Sequence, residues 1–128
     1  MINVVIDTNI IVSAALTPQG NPAKVVDAIF EKRDMQYFYS SAIFAEYVRV
    51  LAYPQLNIAN ETQNKIIDKI KEVGVIIEPT VSNIPLPDES DRIFYDTAKA
   101  SGAILITGNI KHFPAEPFII TRRRFIAD

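Results

Sequence analysis

Short, uninterrupted apolar runs alternate with segments of helical periodicity along this chain of 128 residues. Asn3 to Ile6 (NVVI) is such a run, and its lack of polar alternation is typical of a strand buried on both faces. Four further runs are strand candidates: residues 36–39, 75–77, 103–106 and 118–120. Because helices separate the strands, the pattern predicts an α/β fold, a three-layer α/β/α sandwich with a parallel sheet of about five strands.

Capping residues mark the expected helices. Asn21 followed by Pro22 is typical of an N-cap and first helical residue, and Asn60 with Gln63 resembles a capping box. Two more helices are expected, one from Ser40 or Ser41 to about Ala52 and one from about Ser90 to Ser101. Gly74 and Gly102 follow the ends of two of these helices, as C-terminal glycines commonly do.

Length and composition bound the classes of protein that this chain can represent. Its length suits one domain, residues 1–128, that buries about two-thirds of its extended surface. The absence of cysteine excludes disulfide scaffolds and thiolate metal sites, and a single histidine, His112, excludes a site that needs two imidazoles. The net charge of −2 means that a nucleic-acid partner would need a local basic patch. The first residues contain neither a basic leader nor a long apolar run, so we expect a cytoplasmic protein without a membrane span.

Acidic and amide residues follow the predicted strands, where open parallel sheets bind their ligands. Asp7 ends the first strand, Asn109 follows the strand that ends near Thr107, Asp91 begins a helix, and Glu46 lies on the apolar face of another. Each has an ordinary alternative: a turn cap for Asp7, a helix-dipole partner for Asp91, and an ion pair with Arg49 for Glu46. Together, several carboxylates without cysteine or a second histidine favour a hard cation, Mg²⁺ or Mn²⁺.

Four motifs in this order resemble the PIN-domain family, and more narrowly the VapC-like ribonuclease toxins of bacterial toxin–antitoxin systems. They are VVIDTNIIVSAAL, AEYVRVL, PLPDESDRIFYDTAKASGA and ILITGNIKHFP, and the resemblance extends from Ile2 to about Ile120. It implies a parallel sheet of about five strands between helices. It also implies that Asp7, Glu46 and Asp91 are catalytic acids that hold Mg²⁺ or Mn²⁺.

The resemblance assigns further residues to the site. The family's fourth acidic position falls on Asn109, whose amide can bind a metal or its water shell but brings no charge. Asp96 is a further candidate ligand, although it lies about 140° around the helix from Asp91 and has Arg92 as an alternative i,i+4 partner. Thr8, Asn9 and Thr107 are expected to orient the carboxylates or bound water. His112 is expected at the surface.

The implied activity is metal-dependent hydrolysis of RNA phosphodiester bonds by the toxin of a toxin–antitoxin pair. The implied partners are an RNA substrate, a small antitoxin protein and a second copy of the chain. Two alternatives share the fold: a PIN-type nuclease that serves RNA processing, and a catalytically weakened PIN-fold binding module. A phosphatase or receiver-like domain is disfavoured, because Asp7-Thr8-Asn9 lacks the second acid of the Asp-x-Asp motif that such phosphatases use.

Lys111, Arg122, Arg123 and Arg124 are the candidate RNA-binding residues, and the three arginines have a solvated terminal segment or an antitoxin dock as alternatives. Replacing all three arginines with alanine tests their role in RNA binding. If they neutralise phosphates, the logarithm of the RNA association constant will depend less steeply on the logarithm of salt concentration, by about 0.7 for each phosphate that is no longer neutralised. Filter binding across a KCl series measures that slope. An unchanged slope would remove these arginines from the RNA site.

Overall fold

The computed structural model describes residues 1–127, and the side chains of residues 1–125. Its sheet has five parallel strands: β1 (Ile2–Ile6), β2 (Met35–Tyr39), β3 (Val75–Ile76), β4 (Ile104–Thr107) and β5 (Ile119–Thr121). The strand order is β3-β2-β1-β4-β5, so β1 lies at the centre. Val4, Val5 and Ile6 of β1 are fully buried, as their continuous apolar run predicts.

Six α-helices connect or follow the strands within residues 1–127. They are α1 (Thr8–Leu16), α2 (Asn21–Glu31), α3 (Ser41–Leu51), α4 (Asn60–Val73), α5 (Arg92–Ser101) and α6 (Arg122–Ala127). Short 3-10 turns lie at Pro54–Leu56, Glu89–Asp91 and Ile110–His112. None of the helices described combines the length and the apolar character that crossing a membrane requires.

The direction of strand addition reverses between β1 and β4. The chain passes from β1 outward to β2 and β3, and then returns to place β4 on the other side of β1. Because crossovers between parallel strands are right-handed, α5 covers the face opposite to α1 and α2. The predicted three-layer α/β/α fold is confirmed. Sheets with such a reversal bind ligands at the carboxyl ends of the two strands that flank it, which here are β1 and β4.

Several local predictions were wrong. No helix was predicted directly after Asp7, yet α1 begins there, with the Asp7 side chain accepting a hydrogen bond from its first amide. Gly20 rather than Asn21 is the N-cap of α2. Ala59 rather than Asn60 precedes α4, so no capping box forms there. The residues around Ser90 form a 3-10 turn, and α5 begins only at Arg92.

Gly74 lies where α4 passes into the edge strand β3, in close contact with its surroundings. A Cβ atom there would lie 2.7 Å from Cε1 of Tyr39 and 2.8 Å from the carbonyl oxygen of Ile70. We therefore expect Gly74→Ala to lower the free energy of unfolding by about 1–3 kcal/mol through overpacking. Urea denaturation followed by circular dichroism measures the change.

Gly102→Ala is the control for this prediction, because Gly102 has a positive φ of 61° but open space around its Cα atom. Its cost comes from backbone strain alone, about 1 kcal/mol. A Gly74→Ala protein as stable as the wild type would show that the packing against Tyr39 relaxes freely.

Candidate functional site

Asp7 lies at the carboxyl end of β1, next to β4. It follows the last residue of β1, and its backbone N–H donates to the carbonyl of Ile106 at 2.9 Å. Its side chain is buried, with Oδ1 accepting from the N–H of Thr8 at 2.8 Å and Oδ2 accepting from the hydroxyl of Thr107 at 2.6 Å. The two central strands and the start of α1 therefore hold this carboxylate in one orientation.

Glu46 reaches the same place from α3. Its Oε2 accepts a hydrogen bond from the hydroxyl of Thr8, the residue after Asp7. Its Oε1 lies 3.7 Å from Nη2 of Arg49, the ion pair that the spacing offered as an alternative. Because the Arg49 side chain is 60% exposed, that pair stabilises the fold by no more than about 1 kcal/mol. Glu46 thus forms the alternative ion pair with Arg49 and also contacts the residue next to Asp7.

Asp91 stands immediately before α5, and its Oδ2 is buried without a hydrogen-bond partner. The imidazole of His112 lies close to it, with Nδ1 3.5 Å from that oxygen. Burial raises the pKa of Asp91 to about 6, and the negative charges of Asp7, Asp88 and Glu46 add to the rise. An unpaired buried carboxylate oxygen is costly unless a cation compensates it.

The three predicted acids interact electrostatically. Burial raises the pKa of Asp7, and the charge of Glu46 raises it further, while hydrogen bonds from Thr107 and Thr8 and the charge of His112 act in the opposite direction. Asp7 and Glu46 in turn raise the pKa of Asp91. A group of carboxylates that oppose one another's ionisation fits a divalent cation, and their oxygen donors suit Mg²⁺ or Mn²⁺.

The sequence places Asp88 close to Asp91 along the chain, but the sequence analysis missed His112 as a neighbour of Asp91. The 3-10 turn Ile110–His112 follows β4 and directs the imidazole toward Asp91, although half of that side chain remains exposed. Among the described side chains, Asp88, Asp91 and His112 each offer one ligand atom within 4.8 Å of the others, a group to which Asp7 and Glu46 do not belong. The sequence signal that could have identified His112 is its position five residues beyond the carboxyl end of β4.

The predicted supporting residues make direct contacts at this edge. Thr8 and Thr107 hydrogen-bond Glu46 and Asp7 as described, and the side-chain oxygen of Asn9 accepts from the N–H of Gly108 at 3.2 Å. The N–H of Asn109 donates to the hydroxyl of Thr107 at 2.9 Å, which ties the loop after β4 to the hydrogen bonds of Asp7. Asn109 itself is exposed.

Asp96 lies apart from the other predicted ligands. It is buried on α5, and its Oδ2 accepts from the N–H of Ser82 at 3.0 Å, so it anchors the loop before the site. Asp96 is not among the groups whose charges shift the pKa of Asp91, and it does not join the ligand group of Asp88, Asp91 and His112. The predicted alternative partner also differs, since Arg92 forms its ion pair with Glu89 and donates to the carbonyl of Ile84.

The candidate RNA-binding residues are spread over two segments. Lys111 is exposed on the turn that carries His112. Arg122, Arg123 and Arg124 lie on α6, which follows the edge strand β5; Arg123 and Arg124 are exposed, and Arg122 is partly buried. Lys111 therefore lies on the same turn as His112, whereas the arginines lie on a separate helix.

The profile of the PIN-domain family matches residues 3–111, which include Asp7, Glu46, Asp91 and Asn109. The chain belongs to the PIN-domain family. A relative is the uncharacterized protein MJ1680 of Methanocaldococcus jannaschii, 39% identical over 111 residues that cover 84% of this chain and 71% of that protein.

Two solved structures share the fold at low sequence identity. One is VapBC2 from Rickettsia felis bound to a DNA fragment from their promoter: TM-score 0.62, 19% identity, covering 94% of this chain and 97% of that chain. The other is VapBC-1 from nontypeable Haemophilus influenzae: TM-score 0.56, 18% identity, covering 87% and 90%. The fold is therefore VapC-like, as the motifs suggested.

The raised pKa of Asp91 has a consequence for stability in metal-free buffer. Its carboxyl ionises near pH 4 in the unfolded chain and at about pH 6 in the folded one, so ionisation destabilises the fold increasingly between these values. We expect Asp91→Asn to be more stable than the wild type above pH 6, by about 1–3 kcal/mol, and the advantage to vanish below pH 4. Urea denaturation with EDTA at pH 4, 5, 6 and 7.5 measures it. A difference that did not vary with pH would contradict the assignment.

Proposed function

We propose that this protein is a metal-dependent endoribonuclease that hydrolyses RNA phosphodiester bonds, and that it is the toxin of a toxin–antitoxin pair. The observation that supports the proposal is that Glu46 hydrogen-bonds Thr8, the residue after Asp7, and that the charges of Asp7 and Glu46 act on Asp91, which has a buried oxygen without a hydrogen bond. Membership of the PIN-domain family supports this interpretation.

Asp7, Glu46 and Asp91 would hold Mg²⁺ or Mn²⁺, and Asn109 could add an amide oxygen. Such an ion, when bound, lowers the pKa of a coordinated water and offsets the charge that develops on a phosphate. His112 and Asp88 lie beside Asp91. Besides burial, the charge of Asp88 raises the pKa of Asp91, and the charge of His112 lowers it. The donor set contains no thiolate and a single imidazole, which favours these hard cations over zinc.

The surrounding residues hold the acids in place. The hydroxyl of Thr107 and the N–H of Thr8 restrain both oxygens of Asp7, and the hydroxyl of Thr8 restrains Glu46. Such hydrogen bonds fix the orientation of a ligating carboxylate before an ion arrives. The ammonium of Lys111, exposed on the turn that carries His112, would bind a phosphate of the substrate.

The proposed protein partner follows from the solved structures with the same fold. Both are VapBC proteins, and we infer a small antitoxin as the partner of this chain. The resemblance to the VapC-like toxins further suggests a second copy of the chain in a homodimer. On this proposal the protein acts in the cytoplasm, where its RNA substrate is. Expression alone would then arrest growth, and co-expression of the antitoxin would restore it.

Asp7→Asn tests the catalytic proposal. The amide keeps the shape of the side chain but loses its charge, so we expect RNA cleavage in Mn²⁺ to fall by at least about 100-fold, as loss of a group that stabilises transition-state charge does. Purified proteins are incubated with total cellular RNA, and new 5′ ends are mapped by sequencing. The same substitution should relieve growth arrest on expression.

Asp96→Asn is the matched control, because Asp96 is an equally buried aspartate that bonds Ser82 rather than the other acids. It should keep its cleavage activity. Undiminished cutting by Asp7→Asn, in a preparation free of contaminating nuclease, would refute the site.

Asn109 favours one second candidate, a catalytically weakened binding module, because it places an uncharged amide where the motif pattern of the family has an acid. A folded wild-type protein that bound neither Mg²⁺ nor Mn²⁺ would support that module. Metal-dependent cleavage without growth arrest would instead support a nuclease of RNA processing.

A further inference from the structure

Tyr47 joins the two elements that carry the first two acids. It follows Glu46 on α3, and its side chain is fully buried. Its hydroxyl donates a hydrogen bond to the carbonyl of Ile6, the residue before Asp7. One side-chain hydrogen bond therefore connects the helix of Glu46 directly to the strand end of Asp7.

Tyr37, in the middle of β2, fixes the orientation of that hydroxyl. Its own hydroxyl donates to the Tyr47 oxygen at 2.9 Å, so Tyr47 accepts one hydrogen bond and donates another. A phenolic hydroxyl carries a single proton, and these two hydrogen bonds direct it toward Ile6. Burial, together with the charges of Asp7 and Glu46, raises the pKa of Tyr47 well above its ordinary value, so it remains a donor.

The hydroxyl is not needed for packing. The Tyr47 ring packs near Phe94 of α5, with 6.4 Å between ring centroids, and phenylalanine would fill the same volume. Burying a polar hydroxyl costs free energy that its hydrogen bonds largely offset, so its net effect on stability is about 1 kcal/mol. Its particular effect is geometric, because it sets how far α3 stands from the end of β1.

We propose that Tyr47 is a positioning residue, which sets the separation of Glu46 and Asp7 for a bound divalent cation, with Tyr37 as the second link. This inference rests on the proposed function, since it needs the two acids to share an ion. It assigns the Tyr37–Tyr47–Ile6 hydrogen bonds a role in metal affinity rather than in folding alone.

Tyr47→Phe tests the inference, because it removes the hydroxyl and keeps the ring. We expect the Kd for Mn²⁺, measured by isothermal titration calorimetry on the folded protein, to rise roughly tenfold, as losses of groups that orient ligands do. The Mn²⁺ concentration for half-maximal RNA cleavage should rise by the same factor, while the rate at saturating Mn²⁺ stays close to that of the wild type. Tyr37→Phe should raise the Kd less.

Tyr95→Phe is the matched control. Tyr95 is also buried and its hydroxyl donates to Glu116 at 2.9 Å, so the variant loses a comparable hydrogen bond away from the acids. Its Kd for Mn²⁺ should equal that of the wild type, whatever its melting temperature.

A Tyr47→Phe protein with a lowered melting temperature but an unchanged Kd would overturn the inference and leave the proposed function standing. If that variant does not fold, an unchanged Kd in Tyr37→Phe overturns the inference instead. A wild-type protein that binds no Mn²⁺ would overturn both.

Discussion

Repulsion among carboxylates gathered at one edge of the sheet is the constraint on which the rest of this structure depends. Asp7 follows β1, Glu46 lies on α3 and Asp91 precedes α5. In addition to burial, the charge of Glu46 raises the pKa of Asp7, and the charges of Asp7 and Glu46 raise the pKa of Asp91. No elementary packing preference brings such groups together. The fold holds them through hydrogen bonds to Thr8 and Thr107 and through the pairing of the two central strands.

The sheet supplies the rigid part of that arrangement. Because β1 is buried on both faces and paired on both edges, its carboxyl end has little conformational freedom. Asp7, the next residue, is therefore held firmly as well. Asp91 is different, since it stands before α5 next to an exposed loop and has a buried oxygen without a hydrogen bond. The site thus combines one firmly held acid with one whose charge is expensive in the metal-free fold, a common compromise between stability and function.

Much of this could be predicted from the sequence, for identifiable reasons. The run Asn3 to Ile6 indicated a central strand because a strand covered on both faces is apolar at every position. Helix α1 was missed for the related reason that it too is apolar almost all round, so it shows no helical periodicity. The close approach of His112 to Asp91 depends on a 3-10 turn after β4, and short-range sequence patterns do not predict such a turn. Asp96 shows that spacing along a helix does not reveal which loop a carboxylate will bind.

The position of Thr107 limits what evolution or design could place there. Its oxygen accepts the amide proton of Asn109, and its own proton is directed to Asp7. A side chain at this buried position must therefore accept one hydrogen bond and donate another within a small volume. Serine meets both demands. Valine has the same shape as threonine, but it would leave the N–H of Asn109 and the carboxylate of Asp7 without this hydrogen-bond partner. Tolerance at position 107 is thus decided by the polarity of one atom rather than by size.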